Sequence, residues 1–343
     1  MSALNERIEA LRAQYGTRLA ILGHHYQSDE VIRHVDFQGD SLELARTIDG
    51  LAAEHVVFCG VFFMAESAAA LARPGQKVHI PHPGATCPMA DMAPASRVED
   101  VLSALREDGR LVIPLAYVNS SAEVKAICGL YGGSVCTSAN AKTMLEWALQ
   151  QGDAVLFLPD KHLAHNTANQ LNIDLTERLE IDIRQEGRLI DHKKARYARL
   201  LIWPGACAIH HKFKKSQIQD LRRTSPGVRV VVHPECSPGV VRAADGAGST
   251  SYLIKYCASA PAGSKIAVGT ECSLVERLAA RHKPEGKEIF PLKALSCTNM
   301  AKTTEERLAT LLENLEAAPP LTLSADVMEH SRVALERMLR ICS

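Results

Sequence analysis

The chain has 343 residues, 46% of them apolar, and its 39 basic side chains are matched by 39 acidic ones. So even a balance gives no electrostatic footprint for nucleic acid and no membrane-seeking surface, and no run of 18 uncharged apolar residues offers a membrane span. The length allows two or three domains. The start, Met1-Ser2-Ala3-Leu4, leads into no secretory h-region, so the expected compartment is cytoplasmic. There, ten cysteines read as buried thiols and metal ligands rather than a disulfide framework.

In chain order, residues 5–15 carry Ile8, Leu11 and Tyr15 on one helical side, and residues 19–23 form an apolar strand that ends in His24-His25-Tyr26-Gln27. A helix follows from about Leu42, capped by Asp40 or Ser41. Strands at 55–59 and 77–80 flank a helix at 64–71, and the second of them leads into Cys87-Pro88-Met89-Ala90-Asp91. After a helix near 97–107, a strand at 111–115 delivers Tyr117-Val118-Asn119. Val135-Cys136 precedes Thr137-Ser138 and a helix through Met144 and Leu149. Strands at 154–158 and 200–203 follow, the latter leading to Cys207 and His210; residues 164–196 show no assignable period. A helix at 214–223 precedes the β-branched run at 228–232, which ends in His233-Pro234-Glu235-Cys236. Ser249-Thr250 opens a helix, a strand at 265–268 ends in Gly269-Thr270-Glu271, and a strand at 288–295 precedes Cys297. Two helices, at 303–315 and about 324–339, close the chain.

Set out this way, the chain repeats in topology. Three units each open with a strand ending in two polar side chains one residue apart: His24 and Tyr26, Tyr117 and Asn119, His233 and Glu235. In extended backbone such pairs point the same way. Each unit then places hydroxyls at a helix start suited to anions: Ser41, then Thr137 and Ser138, then Ser249 and Thr250. Each closes with a strand followed by a cysteine: Cys87, Cys207, Cys297. The expectation is an α/β fold of three similar three-layer αβα domains, 1–97, 98–212 and 213–300, in pseudo-threefold arrangement around a central active site. Helices 301–343 are expected to pack back on the first domain.

Three converging thiolates suit zinc, copper(I) or an iron–sulfur cluster. The chain lacks the close Cys-x-x-Cys pairs of structural zinc sites, and a four-iron cluster on three thiolates leaves one iron open as a Lewis acid. Cys236 falls outside the closing position and is not expected to be a ligand. Nearby imidazoles, Glu235 and the tyrosines suit proton transfer. A zinc-dependent lyase or aldolase, and a non-enzymatic cluster sensor or scaffold, remain the alternatives.

Over nearly its whole length the sequence resembles quinolinate synthase. The resemblance rests on His24-His25-Tyr26-Gln27, Gly39-Asp40-Ser41, Cys87-Pro88-Met89-Ala90-Asp91, Tyr117-Val118-Asn119 and Thr137-Ser138-Ala139-Asn140-Ala141. It continues through Trp203-Pro204-Gly205-Ala206-Cys207 with His210, His233-Pro234-Glu235-Cys236, Gly248-Ser249-Thr250, Gly269-Thr270-Glu271 and Cys297-Thr298-Asn299-Met300. It implies a [4Fe–4S] cluster on Cys87, Cys207 and Cys297 with one open iron. The implied reaction condenses iminoaspartate, supplied by aspartate oxidase, with dihydroxyacetone phosphate to give quinolinate, phosphate and two waters. Tyr26, His233 and Glu235 would move protons, with His24 and His210 beside them. Ser41, Tyr117 and Asn119 would hold carboxylates, and Ser138, Ser249, Thr250 and Thr270 would bind substrate, including the phosphate. Three features depart from the family pattern. His162-Leu163-Ala164 stands for Asn-Leu-Gly, and His162 is expected to take over the asparagine's hydrogen bond. The stretch from Cys128 to Gly133 is longer and richer in glycine, and Pro291 and Ala294 stand where some members carry extra cysteines.

Overall fold

The structure is a computed structural model describing residues 3–107 and 109–343. Among the described residues thirteen strands form three sheets in which every ladder is parallel. The first sheet holds β1 (Leu19–His24), β2 (Phe37–Gly39), β3 (His55–Cys59) and β4 (Lys77–His79) in the order β2-β1-β3-β4. The second holds β5 (Val112–Tyr117), β6 (Ser134–Cys136), β7 (Ala154–Leu158), β8 (Arg178–Glu180) and β9 (Leu200–Ile202), ordered β6-β5-β7-β9-β8. The third holds β10 (Arg229–Val232), β11 (Gly246–Ala247), β12 (Lys265–Gly269) and β13 (Glu288–Pro291), ordered β11-β10-β12-β13. With edge strand β8 set aside, the three orders are the same. Every residue of β1, β3, β5 and β7 is buried, as expected for parallel strands covered by helices on both faces. The fold class is the α/β architecture of three layered units that the sequence predicts.

Local chemistry fixes where the helices start. Asp40 Oδ1 accepts from the N–H groups of Leu42 and Glu43, both at 3.0 Å, and Glu43 Oε2 accepts the Asp40 N–H at 2.9 Å, a complete capping box for the helix Ser41–Gly50. In the second unit the helix begins at Ala141, later than the Thr137-Ser138 start expected, because Asn140 Oδ1 takes the Thr137 N–H at 2.7 Å and holds the turn open. β13 stops at Pro291 rather than running to residue 295. The very short strands β2 and β11 carry no buried apolar run, so no pattern marks them in the sequence.

One continuous core joins the first two units, whereas the third sheet has separate clusters on its two faces. The expected boundary at residue 97 falls inside the helix Ala95–Arg106. Of the closing helices, Glu305–Glu313 lies along Ala3–Tyr15 of the first unit. Ala325–Ile341 lies chiefly on the helix Ala122–Leu130 of the second unit, and also touches Phe62–Leu71, so it bridges two units instead of belonging to the first. Gly129 makes that approach possible: a Cβ there would sit 1.9 Å from the His330 carbonyl oxygen. Among the described residues no helix is long and apolar enough to cross a membrane.

Candidate active site

In parallel α/β sheets, ligands bind beyond the carboxyl ends of the strands where the strand order reverses. Here the three sheets turn those ends toward one cavity of about 90 Å³. β1 delivers His24 and Tyr26, β5 delivers Tyr117 and Asn119, and β10 delivers His233 and Glu235. Cys87, Cys207 and Cys297 line the same cavity, with His210, Ser41, Ser138 and Thr250. Two expected residues do not line it. Thr270 is fully buried behind the wall, and Ser249 spends its hydroxyl on the Tyr252 N–H at 3.3 Å, facing an outer vestibule. Cys236 is buried with its thiol toward the Gly269 carbonyl and does not line the cavity. His162 also stays outside: its Nε2 lies 3.2 Å from His211 Nδ1, and the two rings stack.

The polar side chains interlock across the units. Tyr26 Oη is 2.5 Å from Thr270 Oγ1, which also lies 3.1 Å from His210 Nε2. His210 Nδ1 meets Glu235 Oε2, and His233 Nδ1 lies 3.6 Å from the same oxygen. The His210 and His233 rings stack at 4.5 Å. The Tyr26 N–H donates to His24 Nδ1 at 3.1 Å, and the Glu235 N–H to His233 Nδ1 at 3.4 Å. A nitrogen that accepts a backbone N–H carries no proton, so both neutral rings keep theirs on Nε2; that of His233 faces Ser138 Oγ at 3.2 Å.

Burial dominates the ionisation. It draws His24 down to about 3, reinforced by His25 and His233, and draws His233 down to about 3, reinforced by His210. Burial would raise the Glu235 carboxyl, but the two imidazoles and the Tyr117 hydroxyl outweigh it and hold the group at about 2. Tyr26 and Tyr117 are pushed well above the usual phenol range and stay protonated. The cavity therefore presents Glu235 as a carboxylate, His24 and His233 as neutral imidazoles, and Tyr26 and Tyr117 as phenols.

The thiols show whether the site fits a cluster. Burial pushes Cys87 up to about 12 and raises Cys207 and Cys297. Yet each sulfur accepts from backbone N–H groups two and three residues ahead: Met89 and Ala90, Ile209 and His210, Asn299 and Met300. N–H donors aimed at sulfur favour thiolate and tune iron–sulfur centres. Three sulfurs with matching donor turns on one cavity fit a cluster held by three cysteines. Two buried acids outside the expected site residues, Asp160 and Glu271, support these turns. Asp160 caps the helix Lys161–Gln170 through Leu163 and accepts the Cys207 N–H at 3.0 Å, while Glu271 caps Cys272–His282 and takes the Cys297 N–H at 3.4 Å. Both follow a core strand and could have been recognised as caps.

The sequence profile described as "Quinolinate synthetase A protein" matches residues 6–340. The chain belongs to that family. Among its relatives are proteins named quinolinate synthase from Acidobacterium capsulatum (44% identical, covering 99% of this chain and 93% of the relative), Streptomyces coelicolor (43%, 98% and 87%) and Bacillus pumilus (41%, 98% and 93%). The quinolinate synthetase A family is one of enzymes, and the likeness runs through all three sheets.

Proposed function

We propose that the protein condenses iminoaspartate, supplied by an aspartate oxidase, with dihydroxyacetone phosphate to form quinolinate, phosphate and two waters. The observation that carries this reading is one cysteine from each of three sheets on a single cavity, each heading a turn whose N–H groups point at its sulfur. Cys87, Cys207 and Cys297 would hold a [4Fe–4S] cluster. When bound, such a cluster supplies a Lewis-acidic iron with a position open to a substrate hydroxyl.

The chain's own groups bind and move protons. Glu235 is a carboxylate and orients the His210 ring through Nδ1. His233 offers a neutral Nε2–H donor to a carbonyl or developing enolate. Tyr26 keeps its phenolic proton and can pass it on through Thr270 and His210. Asn119 Oδ1 is buried without a hydrogen-bond partner among the described residues, and with Ser41 and Tyr117 it lines the wall suited to the substrate's polar groups. The vestibule shares Asp40 and Ser138 with the cavity and is lined by Arg46, Lys142 and Lys255, so anionic substrates approach past cations and the starts of three helices.

The test is anaerobic purification with iron and sulfide analysis, followed by assay for quinolinate. Wild type should hold about four irons, Cys87→Ala, Cys207→Ala and Cys297→Ala should each lose them, and Cys236→Ala should keep them. Iron-free wild type would sink the reading. One observation favours a second reading: sulfur, nitrogen and oxygen of Cys207, His210 and Glu235 lie within 4.8 Å of one another, a possible zinc set for a lyase. Stoichiometric zinc in an oxygen-stable, colourless protein would decide for it.

A further inference from the structure

Each strand-end turn is gripped by a side chain from another unit, and the three gripping residues occupy the same place in the fold. Glu66, Asn166 and Arg277 lie on the helices Phe62–Leu71, Lys161–Gln170 and Cys272–His282, which follow β3, β7 and β12. All three are buried, at 6%, 3% and 9% exposure. A buried polar group this deep is retained only with partners.

The contacts run head to tail. Arg277 of the third unit donates from Nη1 to the His25 carbonyl at 2.8 Å and from Nη2 to the Gln27 carbonyl, the carbonyls of the residues before and after Tyr26, while Nε meets Asp29. Asn166 of the second unit donates to the carbonyls of Pro234 at 2.7 Å and Cys236 at 2.8 Å, on either side of Glu235. Glu66 of the first unit accepts the Ala122 N–H at 3.1 Å, just beyond Asn119. Its charge also acts on buried Lys125, whose ammonium donates to the Ser120 carbonyl. The third unit thus holds the first, the first holds the second, and the second holds the third. For Arg277 and Asn166 the first carbonyl belongs to the peptide plane that enters Tyr26 or Glu235 and the second to the plane one residue beyond it, so the pair clamps the turn that carries the side chain and limits where that side chain can point.

We propose that Glu66, Asn166 and Arg277 are positioning residues. Each aims the acid–base or substrate-holding side chain of the next unit, so the site reaches working geometry only when all three units are docked. This rests on the function proposed above for its kinetic readout, but not for its structural one. Asn166→Ala and Arg277→Met remove a grip, and Arg277→Lys keeps the charge against Asp29 while reaching one carbonyl at most. Expected are a loss of about 10- to 100-fold in kcat per bound cluster for Asn166→Ala, with the KM for dihydroxyacetone phosphate nearly unchanged, and a smaller loss in Arg277→Lys than in Arg277→Met. Hydrogen exchange reads the same turns without turnover. Asn166→Ala should speed exchange at the Glu235 and Cys236 amides, and Arg277→Lys at those of residues 25–27, in each case in the unit that was not mutated. Unchanged exchange in those turns overturns the proposal, as does a kcat loss that merely tracks lost iron. A wild-type protein that makes no quinolinate overturns the functional reading instead, and exchange alone then decides this one.

Discussion

The Lys125–Glu66 pair allows a stability prediction with a ceiling. Lys125 is completely buried, and burial draws its ammonium down to about 8 despite the opposing charge of Glu66. Glu66→Gln keeps the shape and an oxygen for the Ala122 N–H but removes the charge. Removing the charge that opposes a buried ion commonly costs about 3–5 kcal/mol when the orphan charge stays. Here it need not stay: an ammonium with pKa about 8 gives up its proton at pH 7 for about 1.4 kcal/mol. Glu66→Gln should therefore lose at most about 1.5 kcal/mol at pH 7 through the charge. The sign across pH follows. The folded pKa lies below the unfolded value of 10.5, so the unfolded state binds more protons between the two and stability rises with pH there. The variant begins that rise earlier, so its deficit should shrink as pH climbs from 7 to about 8. Lys125→Met, which removes the donor to the Ser120 carbonyl, should cost about 1–3 kcal/mol. The double variant should cost less than the two singles together. Urea unfolding of the four proteins, anaerobic and at two pH values, provides the measurement. A Glu66→Gln loss above about 3 kcal/mol, or strict additivity, would refute the reasoning.

Two further outcomes are expected. Gly129→Ala should lower the thermal midpoint by loosening the helix Ala325–Ile341, a loss of about 1–3 kcal/mol, because its Cβ would meet the His330 backbone at 1.9 Å; an unchanged midpoint would mean the helices part freely. Acidification should destabilise the fold through His24 and His233, whose folded values of about 3 lie below the ordinary 6.5. Between those values the unfolded state binds more protons, so stability falls as pH falls, by about 2 kcal/mol for each ring at pH 5, and His24→Asn should flatten the pH–stability curve measured by urea titration.

Much of this molecule is legible in the chain. Runs such as Val112–Tyr117 and Arg229–Val232 are β-branched or apolar enough to be core strands, and polar side chains directly after such runs can only lie at sheet ends. That logic locates His24, Tyr117, His233 and the three cysteines. It fails where a contact replaces a pattern: β2 and β11 exist because a neighbouring strand offers hydrogen bonds, not because their residues are apolar. Ser249 looks like an anion ligand in sequence, yet its hydroxyl caps its own helix.

The sequence alone therefore determined the parallel units, the chemistry at their strand ends and the spacing of the thiols, since burial period and turn residues are local properties. Only the tertiary structure decided how the units hold one another. Glu66, Asn166 and Arg277 carry no motif; a carboxylate, an amide and a guanidinium share a role because each lies opposite a different set of peptide groups. Their partners are distant in the chain, and a hydrogen bond across an interface depends on docking geometry that local sequence does not encode.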